Sequence, residues 1–191
     1  APLLGRSLLA EHLSPVLFLL APISRLWPGP LVLVILHAVA LWATLPVLSR
    51  AGSTLGLPTS TRSLVALVFA FHPVTVHTLQ YPFHPEVLYP VLFVGLYGAS
   101  LEGRCWLFAA LALLTLAVKE DAGLYLAGMG AFLALDSRRR AWGLVTILAG
   151  LLWTAVAVAW LLPALGAPGG SYPFLARWAS WPEAARQGAG P

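Results

Sequence analysis

Three ionisable residues in a row, Lys119, Glu120 and Asp121, interrupt an apolar stretch that reads "LTLAVKEDAGLYL" over residues 114–126. Carboxylates such as Glu120 and Asp121 can take a proton from a hydroxyl or hold a divalent cation through hard oxygen ligands, and the Lys119 ammonium can hold a phosphate as a point charge. Two further clusters carry similar chemistry: His84 with Glu86 in "YPFHPEVLYP", and Glu11 with His12 near the start. A histidine, two or three carboxylates and a lysine make a plausible set for handling a phosphate ester. None of the spacings is diagnostic alone, and the chain carries no Walker loop, HExxH, GxSxG or CxxC.

Each of these residues also has a structural reading. Asp121 suits the N-cap of the helix that follows it, and a charged turn can sit in the headgroup region. Pro85 fits a first helical position, with Glu86 in the first turn complementing the helix dipole. Neither argument explains His84, a mediocre cap, nor Lys119, the only lysine among 11 basic residues. His72 and His77 are five apart, about 140° around a helix, and make a poor metal pair unless Pro73 distorts the segment. For these two, and for His37 in mid-segment, helix packing is the simpler role.

The elements that must position these residues are set by composition. Hydrophobic residues make up 59% of the 191, charged residues only 9%, and mean hydropathy is +0.84. An ordinary soluble domain has about a quarter of its residues charged, so the expected class is an all-α polytopic transmembrane bundle. Apolar runs separated by breakers fall at 14–26, 31–48, 63–79 (broken by Pro73), 85–99, 104–118, 122–135 and 142–162, roughly six or seven segments. Several are short for a bilayer, which predicts kinks or re-entrant pieces. Residues 1–162 form the expected membrane domain. Residues 163–191 are expected to be an extracytoplasmic loop, in which Phe174, Leu175, Trp178 and Trp181 recur at the spacing of a helix lying in the interface.

Sidedness follows from charge. If the spans alternate, Arg50, Arg62, Arg104 and the arginines of "DSRRR" share one side with Glu102 and Asp136, and the whole net charge of +4 lies there. The positive-inside rule then places the 136–141 loop in the cytoplasm and the 119–121 turn on the extracytoplasmic face, with His12, His77, His84 and Glu86. Ten of the eleven basic residues being arginine points to a GC-rich bacterial gene, hence to a bacterial cytoplasmic membrane. No aromatic and basic pattern for nucleic acid is present. The lone Cys105 excludes an internal disulfide.

Three strings in order, "EHLSPVLFLLAPISRLWPGPL", "FHPEVLYPVLF" and "KEDAGLYLAGMGAFLAL" followed by a basic loop, resemble a bacterial family of predicted membrane proteins, domain of unknown function 2079, from about Glu11 to Trp181. That family in turn resembles the type C glycosyltransferases, polytopic enzymes that take a sugar from a polyprenyl-phosphate carrier at the extracytoplasmic face. The resemblance implies sites at His12 with Ser14, at His84 with Glu86, and at Lys119 with Glu120 and Asp121. Such enzymes carry an acidic residue in the first outer loop after a first transmembrane helix. Here that helix and most of the loop are missing, which leaves Glu11 as the remnant and makes the chain an expected fragment, inactive alone.

The resulting expectation is a glycosyltransferase-like membrane protein in contact with the lipid bilayer and a polyprenyl-phosphate-linked sugar. Glu120, Asp121, His84 and Glu11 are its candidate catalytic groups; Lys119, His12 and Glu86 are its candidate substrate-binding groups. No residues are assigned to a metal, although a divalent cation is compatible with the carboxylates. Two other classes share the pattern: a transporter or channel component in which the same residues bind ions or relay protons, and a non-catalytic assembly subunit. A transporter should carry polar residues through the middle of several spans, whereas this chain keeps nearly all its charge near span ends.

Overall fold

The computed structural model describes residues 9, 12–27 and 29–166, and these are all-helical, with no strand among them. Ten α-helices follow one another: α1 (Val16–Leu26), α2 (Pro30–Trp42), α3 (Thr44–Thr54), α4 (Thr59–Phe71), α5 (Pro73–Thr78), α6 (Tyr89–Leu101), α7 (Cys105–Leu116), α8 (Ala122–Ala134), α9 (Arg140–Val156) and α10 (Leu162–Ala164). A 3-10 turn, Pro85–Leu88, leads into α6, and a π-helical turn, Ala157–Leu161, joins α9 to α10. Two continuous stretches, Pro30–Thr54 and Arg140–Ala164, are each 25 residues long and apolar enough to cross a membrane. Thr59–Phe71, Pro85–Leu101, Cys105–Leu116 and Ala122–Ala134 are shorter apolar helices of 10–17 residues, and α5 has only 6. Glu11 and the proposed interfacial helix after residue 166 lie outside the described residues.

Prolines set the breaks. Pro46 has no amide hydrogen and its ring opposes the carbonyl of Trp42, so the ladder of the first long stretch is interrupted at Ala43, between α2 and α3. Pro73 forces His72 out of helical conformation, to φ −58° and ψ 132°, and the run expected over 63–79 divides there into α4 and α5. Residues 49–62, the gap between the apolar runs at 31–48 and 63–79, are mostly helix. α3 runs to Thr54 and stops where Gly56 adopts φ +75°, with Gly56 N–H bonded to the Ser53 carbonyl and Leu57 N–H to the Gly52 carbonyl, each at 2.9 Å. This is a Schellman stop, and glycine is the residue that takes its left-handed position without strain. The same closure recurs after α6, where Gly103 has φ +68° and Arg104 N–H bonds the Ala99 carbonyl at 2.9 Å.

Helices α6, α7, α8 and α9 pack in sequence as antiparallel neighbours, the closest pair being α8 with α9. That seam is built on two glycine pairs. A Cβ placed on Gly123 would fall 2.1 Å from the Gly150 carbonyl oxygen, and one on Gly130 would fall 2.7 Å from that of Gly143. The glycines of each helix are seven residues apart, just under two turns, so both fall on the same face. On the opposite side of α9, Val145 and Leu148 are each 69% exposed, while Gly143, Thr146 and Gly150 are buried. Small residues inward and large apolar residues outward is the inverse of a soluble helix, and it fits a lipid surround. Two buried hydroxyls are satisfied within their own helix: Thr115 and Thr146 donate to the carbonyls four residues earlier, each at 2.7 Å.

Candidate functional site

The turn between α7 and α8, residues 117–121, is the meeting point of four parts of the chain. The fully buried Glu120 carboxylate accepts from the Leu13 backbone N–H at 2.9 Å through Oε2, and its Oε1 lies 3.4 Å from His12 Nδ1. The Val16 N–H donates to the Ala117 carbonyl at 2.8 Å, so the segment entering α1 is fastened to this turn twice. Lys119 Nζ donates to Glu86 Oε1 at 2.8 Å, drawing in the turn before α6. Trp153 of α9 donates its indole N–H to the Lys119 carbonyl at 3.4 Å.

A cavity of about 660 Å³ opens beside this junction. Its polar wall is His12, Ser14, His84, Glu86 and Lys119; its apolar wall includes Leu17, Leu33 and Phe83. The structure thus brings together His12, His84, Glu86 and Lys119 on one surface, with Glu120 directly behind them. Asp121 does not line this cavity. It does sit at the N-terminal end of α8, but it makes no side-chain cap there, because its backbone is already helical (φ −87°, ψ −6°) where a capping residue is extended. The expected capping role is therefore corrected: Asp121 Oδ1 is buried with no hydrogen-bond partner.

Electrostatics separate the members. Burial opposes the charge on Lys119, but the hydrogen bond to Glu86, with Asp121 and Glu120 nearby, outweighs it and holds the ammonium above its ordinary range. Hydrogen bonding to Glu120 likewise raises the His12 imidazole above its usual value despite burial. Burial pushes the Asp121 carboxyl upward, Glu120 and Glu86 add to the shift, and Lys119 opposes it. His84 Nδ1 is 2.8 Å from the Pro82 carbonyl oxygen. A carbonyl can only accept, so Nδ1 is the donor and neutral His84 has Nε2 as its acceptor. Among the described residues no group of three or more His, Cys, Asp or Glu is arranged to hold a metal ion.

Residues 2–183 match the sequence profile of DUF2079, described as a predicted membrane protein. The chain belongs to the DUF2079 family. No curated protein and no solved structure matches it. Family membership fits the inverted surface of α9 and the two 25-residue apolar stretches. Sequence reading missed Phe83, which walls the cavity and meets the buried His37 ring edge to face at 6.3 Å. It also missed Trp153, whose contact with the 117–121 turn spans 34 residues. Only the glycine pairs of the α8–α9 seam, visible as Gly123, Gly130, Gly143 and Gly150, could have signalled that α9 lies against this turn.

Proposed function

We propose that this DUF2079 protein transfers a sugar from a polyprenyl-phosphate carrier to an acceptor hydroxyl, in the cavity bordered by His12, His84, Glu86 and Lys119. The observation that carries this reading is the Lys119–Glu86 pair at the wall of an otherwise largely apolar cavity. An apolar wall suits a lipid carrier, and an ammonium with two N–H groups beyond the one given to Glu86 suits the phosphate leaving from it. The acceptor hydroxyl gives its proton to His84 Nε2 as its oxygen bonds to the anomeric carbon. The bond from that carbon to the phosphate oxygen breaks, and its electron pair leaves on the polyprenyl phosphate, where Lys119 balances the charge. Glu120, with both oxygens engaged, positions the His12–Ser14 segment and does not act as the base.

In this reading six or seven apolar segments traverse or enter a bacterial cytoplasmic membrane, with the 136–141 loop cytoplasmic and the 119–121 turn outside. The polar groups of the site and the arginines of Arg50 and Arg104 lie at opposite ends of α6 and α7, as alternating spans require. The test is sugar release from a radiolabelled polyprenyl-phosphate sugar by the full-length protein in membranes. Lys119→Ala and His84→Ala should insert normally and lose transfer by a hundredfold or more, the order of one electrostatic or acid–base contribution. Full transfer by both variants would overturn the assignment. Labelling of single cysteines at 121 and 138, after Cys105→Ser, should occur from opposite faces.

A further inference from the structure

A second cavity, of about 740 Å³, lies on the other side of His84 and Glu86, between α2, α4 and α5. Its volume is within the range of small-molecule sites, about 300–1,000 Å³. Its open surface is mostly apolar, with the histidines His37, His72, His77 and His84 set into it, and neither a lysine nor an arginine is part of the lining. Glu86, already paired with Lys119 on its other side, is the one fully charged group of the lining, so the lining offers no cation of its own to an anion. Facing the space is His37, 4% exposed, whose two ring nitrogens are both buried without a hydrogen-bond partner. A neutral imidazole carries one donor and one acceptor, and leaving both unpaired in an apolar surround is unfavourable. At the rim, His72 Nδ1 accepts from the Val74 N–H at 3.2 Å, which leaves Nε2 of neutral His72 as a donor.

We propose that this cavity binds an uncharged amphiphile, a long-chain alcohol, whose hydroxyl pairs with His37 and whose hydrocarbon body fills the space along Val65, Val68 and Phe69. A hydroxyl is both donor and acceptor, so it matches either face of the imidazole. Glu86 borders both cavities, and the absence of lysine and arginine from this lining separates the site from the Lys119 cavity, where a phosphate is the natural partner. The assignment does not depend on the sugar-transfer reading.

The test is photolabelling of the full-length protein in nanodiscs with a C16 alcohol bearing a diazirine and an alkyne, with adducts mapped by mass spectrometry. Saturable adducts are expected between residues 65 and 82. His37→Phe, which keeps a ring against Phe83 but removes both nitrogens, should lower saturable labelling about fivefold or more, as loss of one hydrogen bond would; His37→Gln should retain most of it. Val68→Trp, which fills the cavity from its wall, should abolish labelling, while Leu148→Trp on the lipid side of α9 should not. Unlabelled C16 alcohol and a C15 isoprenoid alcohol as competitors distinguish a straight-chain from an isoprenoid source. Labelling that is non-saturable, unchanged in both His37→Phe and Val68→Trp, or displaced equally well by hexadecyl phosphate would overturn the proposal.

Discussion

The two ends of the α6–α7 pair hold polar clusters of similar composition and opposite construction. At one end Arg50 forms a fork on Glu102, Nε to Oε1 at 2.8 Å and the terminal nitrogen to Oε2 at 2.9 Å, with Arg104 at 3.4 Å; the Arg50 side chain is 66% exposed. At the other end Lys119 is paired with Glu86 at 19% and 33% exposure, and Glu120 is completely buried behind them. Both clusters pair acid with base, although beside the second the Asp121 Oδ1 is buried without a partner. Only the second uses a buried carboxylate to hold backbone from a distant part of the chain, and only the second borders a cavity large enough for a substrate. An exposed ion pair is screened and contributes little, whereas removing one partner of a buried one leaves a desolvated group behind.

The sharpest way to break this contrast is Glu120→Leu. It leaves the Leu13 N–H without its acceptor in a buried position, and loss of about 3 kcal/mol is expected, of the order seen when a buried charged pair is broken. Thermal unfolding in detergent measures it. Glu120→Gln keeps a carbonyl oxygen for the Leu13 N–H and should lose less. If Glu120→Leu unfolds at the wild-type temperature, the junction between the 12–16 segment and the 117–121 turn is not supporting the fold.

Lys119→Met should be milder in stability, about 1 kcal/mol once partial exposure of the pair is allowed for, yet decisive for transfer. Combining it with Glu86→Leu removes both charges together and should recover much of the stability without recovering transfer. That split between folding and activity is what a purely structural ion pair would not give.

His12 supplies a pH-dependent version of the same comparison. Its pKa is raised in the folded protein from 6.5 by the hydrogen bond to Glu120, so its contribution is fully present below about 6.5 and is lost as pH rises through the higher folded-state value. The difference in unfolding temperature between wild type and His12→Ala should accordingly be largest in mild acid and shrink on the alkaline side. A difference that grows with pH would mean that the imidazole is not acting as the charged partner of Glu120.

Much of this contrast was legible in the sequence, and the reason is that lipid restricts where charge can go. Breakers and apolar runs gave the helices from α4 to α9 nearly in place, and the arginine distribution put Glu102 and Arg104 apart from Glu86 and Lys119 before any contact was known. Pro85 and Glu86 stand where first-turn preferences put them. What was not legible depends on contacts distant in sequence. Burial of Glu120 requires knowing that Leu13 arrives 107 residues away in the chain, and Asp121 looks like a cap until its helical backbone is seen. His37, read as a packing residue, is buried as that reading implies, but its unpaired nitrogens emerge only when α4 and α5 are folded around it.

The smallest effect belongs to the arginine end. Arg50 and Glu102 make the better hydrogen-bond geometry of the two clusters, two parallel N–H···O contacts, and a count of interactions would rank them first. Water and counterions compete for both groups at that exposed position, and the side-chain entropy of holding Arg50 opposes what attraction remains. Arg50→Ala should therefore leave the unfolding temperature within the error of the measurement, and raising salt should not change the result. Insertion is a different matter, because in the proposed topology Arg50 belongs to the set of charges whose asymmetry directs the loops. Removing it alone should leave orientation intact, since the three arginines at 138–140 remain, while replacing those three together should produce molecules labelled at position 121 from both faces.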